Sequence, residues 1–428
     1  MPTERQVSER WVVFLIGAVQ FVNILDFVMV MPLGPDFGKG LGIASSHIGT
    51  IGGAYTAAAS VAGLVGGYFL DRFDRRKALA VSMLGLVAAT AAGGLATGLS
   101  TLLLARVMAG VFGGPATSLS LSIIADVIPV ERRGRALGAV MGAFSVASVA
   151  GVPMALKLAE YGGWRLPFFV VAGLGLAVVL GATFFLPPVR GHLKEGRGPA
   201  HRVGVLELLG RREVQLSYVM TAVVMMAGFV LVPNISAYLQ QNLGYPRDML
   251  WFPYFVGGIV SFATLRVTGK LVDRLGAFKV GTVGSVMLLV TTYLGFVDFP
   301  WWLPIPLLFV FFMAFMGVRN VAYNTLTSRV PDAAVRARFM SLQSSIQHMA
   351  AALGAILSSQ LLTDLPDGRL GGMSHVAWVS MALTVSLPPM LWLVERHVRS
   401  REQARAPAPP PPSQGEAVSL PAEAHSHQ

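Results

Sequence analysis

Two ionisable residues stand inside long apolar stretches, where ionisable side chains are rare. Asp26 lies within residues 11–33, and Arg106 lies within residues 101–127. A charged side chain at the centre of a bilayer costs roughly 2.5–3.5 kcal/mol even on lenient insertion scales, so such a residue faces a cavity or a partner. A carboxylate beside an arginine keeps its charge, whereas a carboxylate left in an apolar cavity takes up a proton. Together, Asp26 and Arg106 could load and release protons.

The depths of the two residues predict that they meet. With a helical rise of about 1.5 Å per residue, Asp26 lies ~12 Å inside the outer end of its stretch and Arg106 lies ~8 Å inside the outer end of its own. We predict a common Asp26–Arg106 neighbourhood in which protonation of Asp26 and binding of a substrate compete. The alternative is a static ion pair that only fixes the two helices.

A second polar set lies in the tenth and eleventh apolar stretches and comprises Arg319, Asn320, Gln343, Gln347 and His348. Gln343 and Gln347 share a helix face because they are four residues apart. Hydrogen bonding to a substrate is the functional interpretation, and hydrogen bonding between packed helices is the alternative. A lone histidine such as His348 is more often structural. Four aromatic side chains are predicted to line the same cavity: Tyr55, Phe144, Phe229 and Tyr238.

The composition of the chain predicts that its solvent is lipid. Of its 428 residues, 54% are hydrophobic and 13% are charged, and the mean hydropathy is +0.62. Ordinary globular proteins carry about 25% charged residues. The net charge of +11 could suggest nucleic acid, but Lys and Arg occur in short clusters between apolar runs. The absence of cysteine excludes disulfides and thiolate chemistry.

Twelve apolar stretches are each about as long as the twenty residues that a helix needs to cross a bilayer. The chain is therefore predicted to be an all-α membrane protein with twelve transmembrane helices. The first stretch is too long for a cleavable signal peptide. The predicted spans are 11–33, 47–70, 78–98, 101–127, 136–160, 165–186, 214–240, 249–271, 278–297, 302–328, 337–363 and 373–396.

The spans divide into two predicted six-helix bundles, 11–186 and 214–396, around a polar linker at 187–213. Residues 1–10 form a cytoplasmic N-terminus, and the Pro-rich residues 397–428 are predicted to be a disordered cytoplasmic tail. Most of the 33 Lys and Arg residues fall on the side of the linker and both termini. The positive-inside rule places that side in the cytoplasm.

An internal repeat indicates that the two bundles are related. The stretch GYFLDRFDRRK at residues 67–77 is echoed by GKLVDRLGAFK at residues 269–279. Asp71 and Asp273 are 202 residues apart, and the same separation recurs for Pro129 and Pro331. Because the two copies have the same orientation, the pattern is typical of a pseudo-symmetric transporter with six plus six spans.

At this point the residues resemble a known family, the major facilitator superfamily, over essentially all of the chain except the linker and the tail. The family motif between the second and third spans is Gly-x-x-x-Asp-Arg-x-Gly-Arg-Arg. Here it is represented by Gly67, Asp71, Arg72, Asp74, Arg75 and Arg76, and Asp74 stands where the usual pattern has glycine.

Three further stretches resemble the twelve-span drug:proton antiporter branch of that family. They are NILDFVMVMPLGP at 23–35, LLLARVMAGVFGG at 102–114 and ASVAGVPMALKLAEYGGWRLPFF at 147–169. The third departs from the branch motif, because Val152 separates Gly151 from Pro153. Pro153 after Gly151 predicts a kink in the fifth helix.

The resemblance also implies a cytoplasmic latch between the bundles. Asp71 would sit near the N-terminus of the eleventh span, and Arg75 would pair with Asp126, so that the halves stay together inside while the outside is open. The other residues assigned to this latch are Gly67, Arg72, Arg76, Arg133, Asp273 and Arg274.

The predicted function is secondary active transport, in the form of proton-coupled export of a small apolar or amphipathic compound by alternating access. Symport or export of a sugar or other metabolite is one alternative, and a non-transporting membrane sensor is an alternative of another class. The sequence holds no nucleotide-binding, metal-binding or nucleophile motif, so we expect no enzyme, metal or cofactor. The expected partners are a small-molecule substrate, protons and the lipid bilayer of the bacterial inner membrane, around a monomer.

Overall fold

The computed structural model describes residues 8–187, 189, 205–332 and 335–405. Nearly all of this part of the chain is helical, and its two short strands, β1 (Thr363–Asp364) and β2 (Leu370–Gly371), form one antiparallel hairpin. The twelve-helix, two-bundle fold predicted from the sequence is confirmed. The orientation in the membrane stays a prediction. The end of the molecule at which residues 187–213 connect the bundles is therefore called the linker end, and the other end is called the opposite end.

The first bundle contains spans one to six. The fifth span is assembled from three helices and a π-helical segment, Ala147–Gly151. The bounds are α1 (Glu9–Val28), α2 (Gly34–Leu41), α3 (Ile48–Phe69), α4 (Arg75–Gly94), α5 (Leu99–Val127), α6 (Val130–Met141), α7 (Ala143–Val146), α8 (Val152–Gly162) and α9 (Arg165–Phe185), with short 3₁₀ turns at Ser45–His47 and Leu70–Arg72.

The second bundle contains spans seven to twelve and is preceded by the short helix α10 (Val205–Leu209) in the linker. The bounds are α11 (Arg212–Leu231), α12 (Ile235–Gln241), α13 (Trp251–Leu275), α14 (Ala277–Phe296), α15 (Ile305–Arg329), α16 (Arg336–Leu361), α17 (Met373–Val385) and α18 (Leu387–Arg405), with 3₁₀ turns at Val232–Asn234 and Arg247–Met249.

Eleven helical segments in the described part are long and apolar enough to cross a membrane. The remaining predicted span is α16, which has 26 residues and is therefore long enough. It is more polar than the others because its middle carries Gln343, Gln347 and His348 among several serines. The most polar of the twelve long helices is thus one that carries candidate site residues.

Proline explains three interruptions of the spans. A residue without a backbone N–H cannot complete the α-helical ladder, so the helix shifts to another hydrogen-bonding pattern or ends. The fifth span passes through its π-helical segment directly before Pro153, which is where the sequence predicts a kink. The seventh span breaks at Pro233, and the twelfth breaks at Ser386 before Pro388.

Small residues bring the second and fourth spans into backbone contact. A Cβ atom built on Gly110 would lie 2.2 Å from the carbonyl oxygen of Tyr55, and one built on Gly114 would lie 2.5 Å from that of Ala59. Membrane helices gain no hydrophobic driving force from lipid, so close contact between small residues is a main source of their association.

The two bundles meet along α3 and α16. A Cβ atom on Gly49 would lie 2.2 Å from the carbonyl oxygen of Ala355, and one on Gly53 would lie 3.5 Å from the Cβ of Ala355. Further along, Ser60 Oγ donates a 2.8 Å hydrogen bond to the carbonyl oxygen of Ser345. The contact therefore extends along α3 from its first turn, at the opposite end of the molecule, to a point beyond the middle of the helix.

Polar contacts also close the opposite end. Asp364 of the hairpin accepts hydrogen bonds from the backbone N–H groups of Ser45 and Ser46, at 2.9 and 3.1 Å. Arg247 and Asp36 form a bidentate ion pair with contacts of 2.7 and 3.1 Å. Both contacts join one bundle to the other. The structure therefore shows the state in which the opposite end is closed.

The last helix and the linker differ in detail from the sequence prediction. Helix α18 continues to Arg405, beyond the predicted boundary at residue 396, so the start of the predicted disordered tail is helical. Helix α10 lies within the predicted linker. The rest of the linker prediction and of the tail prediction falls largely outside the described residues.

Gly110→Ala is expected to destabilise the first bundle, because its Cβ would collide with the backbone of α3. Overpacking of this kind costs roughly 1–3 kcal/mol. Thermal unfolding of the purified full-length protein in detergent measures the loss. Gly138→Ala is the matched control, because a Cβ at that position meets nothing within 4 Å. Equal melting temperatures for Gly110→Ala and the wild type would contradict the packing shown here.

Candidate functional site

The structure brings Asp26 of α1 and Arg106 of α5 into direct contact. Arg106 Nη1 donates to both carboxylate oxygens of Asp26, at 2.9 and 3.1 Å. The side chains are 0% and 1% exposed, so the pair is shielded from solvent on every side. A buried pair of this kind persists only if its geometry and its further hydrogen bonds offset the cost of removing both charges from water.

Thr90 of α4 completes the environment of the carboxylate. Its hydroxyl oxygen lies 2.7 Å from Asp26 Oδ1 and 2.8 Å from the carbonyl oxygen of Leu86. A hydroxyl group has one proton to donate and two lone pairs to accept with. It can therefore donate to an ionised Asp26, or accept from a protonated Asp26 and donate to Leu86 instead. Thr90 has a hydrogen-bond partner in both protonation states.

Asn23, one helical turn before Asp26, anchors α1 to the neighbouring helices. Its Nδ2 donates to the carbonyl oxygen of Gly113 at 2.9 Å and to Thr117 Oγ1 at 2.7 Å. The Tyr55 hydroxyl donates to Asn23 Oδ1 at 2.6 Å. This network fixes the rotation of α1 and hence the direction in which Asp26 points.

Arg106 keeps unused hydrogen-bonding capacity. Its Nε and Nη2 find no hydrogen-bond partner in the part of the chain that the structure describes. The guanidinium lies over the Tyr55 ring, 4.8 Å from the ring centre, which is a favourable cation–π position. The pair with Asp26 thus leaves donors that a ligand or a water molecule could use.

An aromatic stack connects this site to the other bundle. Phe27, the residue after Asp26, stacks on Tyr55 with ring centres 5.1 Å apart. On its other side Phe27 stacks on Phe229 of α11, at 6.0 Å. Two of the predicted cavity aromatics, Tyr55 and Phe229, therefore lie at the junction of the two halves, beside the buried charge.

Arg319 of α15 is the second buried arginine, at 1% exposure. Its Nη2 makes long contacts of 3.3 Å to Asn320 Oδ1 and 3.4 Å to the carbonyl oxygen of Val224. Its Nε finds no hydrogen-bond partner among the described residues. Unlike Arg106, it has no carboxylate beside it in the described part of the chain.

The polar residues of α16 lie near α15 but do not form one cluster. Gln347 Nε2 donates to the Tyr323 hydroxyl at 2.8 Å. His348 Nδ1 lies 2.8 Å from the carbonyl oxygen of Ser344 in its own helix, as expected for a structural histidine. Gln343 is buried, and its Oε1 has no partner among the described residues.

The other two predicted cavity aromatics lie on α7 and α12. Phe144 on α7 is 51% exposed. Tyr238 on α12 packs against Phe296 near the opposite end, with ring centres 5.3 Å apart. The sequence stretches around them are aromatic, but helix rotation, which one sequence does not define, decides the direction in which each ring points.

The fifth-span motif, Gly151 and Pro153, packs against α1 at Leu25, the residue before Asp26. A Cβ on Gly151 would lie 2.7 Å from Leu25 Cδ1, so only glycine lets the π-helical segment approach α1 this closely. On its other side, a Cβ on Gly258 of the second bundle would lie 2.8 Å from Val149 Cα. The irregular segment is therefore held between Leu25 and the partner bundle.

The residues of the predicted latch make contacts within each half. Arg75 Nη1 pairs with Asp126 at 2.8 Å, and Arg76 Nη1 donates to the carbonyl oxygen of Leu186 at 3.1 Å. Asp273 pairs with Arg329 at 3.5 Å in the second half. The predicted Arg75–Asp126 pair is therefore present and lies within the first bundle. The latch between the halves stays a prediction.

The remaining latch residues are less informative. The side chains at positions 67–69 and 71 lie outside the described part, so the predicted place of Asp71 near α16 stays a prediction. Arg72 is exposed, Arg133 is partly buried, and Arg274 lines a cleft at the linker end of the second half. This cleft has a volume of about 360 Å³ and is far from Asp26 in the fold.

Asp74, which departs from the family motif, has a local explanation. It is the N-cap of α4, and its side chain accepts a 3.0 Å hydrogen bond from the backbone N–H of Arg76. Aspartate is among the best residues at that position. The departure therefore stabilises the start of the helix that carries Thr90.

The sequence reasoning missed four residues of the site: Asn23, Thr90, Thr117 and Tyr323. The sequence could have predicted Asn23, because it lies one turn from Asp26 on the same helix. Nothing in the sequence distinguishes Thr90 and Thr117, since a single threonine is common in a membrane helix, where its hydroxyl bonds to the backbone of the same helix. Tyr323 is four residues after Arg319, a spacing that could have marked it.

The fold and this buried site are those of a membrane transporter, and comparison with known proteins identifies the family. The model of the Major Facilitator Superfamily matches residues 16–355, and the chain belongs to this family. It is not an enzyme.

Curated relatives include a chloramphenicol resistance protein and an uncharacterised MFS-type transporter. The chain is 27% identical over 364 residues to the chloramphenicol resistance protein of Streptomyces lividans, a match that covers 84% of this chain and 91% of that protein. It is 24% identical over 400 residues to the uncharacterised MFS-type transporter YtbD of Bacillus subtilis (strain 168), with 91% and 95% covered.

Solved structures show the same fold at low sequence identity. A bacterial homologue of the human lysosomal transporter Spinster, inward-facing and unoccupied, aligns with a TM-score of 0.72 at 17% identity, covering 94% of this chain and 99% of that one. The D-xylose-proton symporter aligns with a TM-score of 0.72 at 15% identity, covering 90% and 97%.

Arg106→Gln is expected to destabilise the protein by about 3–5 kcal/mol, because it leaves the Asp26 carboxylate buried without its counter-charge. The double variant Asp26→Asn/Arg106→Gln should recover much of this loss, since both charges are then gone. Thermal unfolding of the four proteins of this cycle measures the coupling. If the double variant is as unstable as Arg106→Gln alone, the pair is not the source of the loss.

Proposed function

We propose that this transporter exports a small apolar or amphipathic compound in exchange for protons, by alternating access of one central site to the two sides of the membrane. The observation that carries the proposal is the buried Asp26–Arg106 pair with Thr90. A carboxylate at this depth, held by one arginine and by a hydroxyl that serves both protonation states, is equipped to exchange a proton.

The mechanism follows from what each state of Asp26 does to its neighbours. When a proton binds to Asp26 Oδ1, the negative charge is lost and Arg106 is released from its ion pair. The proton is then donated to Thr90 Oγ1 in a hydrogen bond, and the hydroxyl proton of Thr90 turns to the carbonyl of Leu86. When the guanidinium of Arg106 moves away from Asp26, the Phe27–Phe229 stack next to it shifts as well. Protonation of Asp26 is thereby coupled to the contact between the two halves.

The relatives support export of a compound of this kind. One of them is named a chloramphenicol resistance protein, and resistance to a small amphipathic compound is what an exporter confers. The contact network at the opposite end supports alternating access, because it is built from short polar contacts that can separate as one unit. In the predicted orientation, that closed end faces outward, in the membrane of a bacterial cell.

Asp26→Asn is expected to abolish uphill transport driven by a proton gradient in proteoliposomes, because the amide cannot exchange a proton. Downhill exchange of the substrate, with chloramphenicol as the probe, should persist. The control is Asp367→Asn, which removes an exposed carboxylate in the hairpin loop whose pKa is held below its usual range by hydrogen bonds from Arg369. Uphill transport by Asp26→Asn would refute the proton role.

The direction of proton flux is part of the same measurement. Proton movement opposite to the substrate supports export by antiport, and movement in the same direction identifies symport. The double variant Asp26→Asn/Arg106→Gln distinguishes a pair that only holds the helices together from a pair that binds the transported proton. In the first case the folded double variant keeps proton-driven transport, and in the second case it loses it.

A disulfide between positions 53 and 355 is expected to lock the opposite end and stop transport. A Cβ atom on Gly53 would lie 3.5 Å from the Cβ of Ala355, within the usual range of about 3.5–4.5 Å for a disulfide. The chain has no cysteine of its own, so Gly53→Cys/Ala355→Cys carries no background. Oxidation should abolish transport and a reductant should restore it. Each single cysteine variant is a control, and unimpaired transport by the oxidised pair would exclude separation of the halves at this point.

A further inference from the structure

In the described part of the second bundle, Glu395 of α18 is the acidic residue that lies in the middle of a membrane helix, and it is paired with Arg399 of the same helix. From Glu213 to Glu395 the sequence contains six aspartates, at positions 248, 273, 298, 332, 364 and 367. Each lies in a loop or in the first or last turn of a helix. Among the described residues, none of these carboxylates pairs with the buried guanidinium of Arg319, whose hydrogen bonds go to Asn320 and Val224.

The internal repeat shows where that counter-charge would stand. Asp26 of the first half corresponds, at the repeat separation of 202 residues, to Gly228 of α11. A Cβ built on Gly228 would lie 3.5 Å from Arg319 Nη2, and the only other atom near it is Met316 Sδ at 4.0 Å. In the first half this position carries a carboxylate that pairs with Arg106, and in the second half it is glycine. At the same separation Arg106 corresponds to Leu308, so Arg319 reaches the side of Gly228 from eleven residues further along the corresponding helix.

We propose that Arg319 binds a planar group with two acceptor oxygens, a carboxylate or a nitro group, that a transported compound inserts at the position beside Gly228. This inference rests on the proposed transport function and specifies the chemistry of its substrate. Two observations carry it: the buried arginine has only long contacts, to Asn320 and Val224, and the residue that corresponds to Asp26 is a glycine whose Cβ position lies 3.5 Å from Arg319 Nη2.

The geometry of the guanidinium selects this class of ligand. Its fork of N–H donors matches two oxygens in one plane, which is why arginine recognises carboxylates in a bidentate way. The Nε of Arg319 has no partner among the described residues. Gly228 also precedes Phe229, whose ring stacks on Phe27 of the other half. An aromatic compound bound there would place its acceptor group against Arg319 and its ring beside this stack.

The test measures binding of two matched probe pairs to the full-length protein in lipid nanodiscs. One pair is para-nitrobenzyl alcohol and para-aminobenzyl alcohol, and the other is benzoate and benzylamine. The nitro or carboxylate member should bind at least about tenfold more tightly than its amine, the size expected for a charge-assisted hydrogen bond. A preference in the first pair shows that neutral acceptors suffice, and a preference in the second pair alone shows that the ligand is an anion.

Three variants assign the preference to Arg319. Arg319→Gln should abolish it. Gly228→Asp should abolish it as well, because the new carboxylate occupies the vacant position and pairs with Arg319, and it should also raise the melting temperature. Gly228→Ala is the control that adds the Cβ without an acceptor, and it should retain the preference. If Arg319→Gln does not fold, Gly228→Asp still tests the site with Arg319 in place.

The results separate this inference from the proposed function. Equal binding of amines and acceptors, no binding of either acceptor, or a preference that survives in Gly228→Asp would overturn the role of Arg319. None of these results depends on a proton gradient. The proton role of Asp26 is judged instead by uphill transport, so either idea can fail while the other stands.

Discussion

The constraint on which the structure depends is that lipid supplies no hydrogen bonds and no counter-charges. Every buried polar group must find its partner inside the protein or in a ligand. In the first half the Asp26 carboxylate finds its partners in Arg106 and Thr90, which belong to two other helices, while two nitrogens of Arg106 have no partner among the described residues. Their mutual contacts position α1, α4 and α5 relative to one another, so the charged site also organises the bundle.

A second consequence concerns how the bundles can separate. The α3–α16 contact depends on glycine, where Gly49 and Gly53 let backbones approach, and on a hydrogen bond from Ser60. Such an interface is precise in shape but contains no buried charge, so its separation leaves no ion unpaired in lipid. The Asp36–Arg247 pair at the opposite end is partly exposed and can exchange its partner for water. The interface between the halves is therefore easier to break than the site within one half.

Much of this arrangement could be predicted from the sequence, and the limit has a physical cause. Length and apolarity determine the number of spans, and helical rise gives the depth of Asp26 and Arg106, so their proximity followed from counting. Rotation about a helix axis does not follow from counting. This is why Thr90 went unnoticed although it touches Asp26. The helix breaks at Pro233 and Pro388 do not change the number of apolar stretches, so counting these stretches does not predict them.

The two halves share a fold but solve the problem of a buried arginine in different ways. The first half carries its own counter-charge, and a proton can remove that charge. The second half has glycine at the corresponding position and leaves Arg319 with long contacts only. Both arginines keep a nitrogen without a hydrogen-bond partner among the described residues, but of the two it is Arg106 that has a carboxylate beside it there. Under the proposed function, Arg319 is the donor available to a ligand, and Asp26 of the other half exchanges the proton. The proposed asymmetry would place proton binding in one bundle and substrate binding in the other, and the relative motion of the bundles would couple the two.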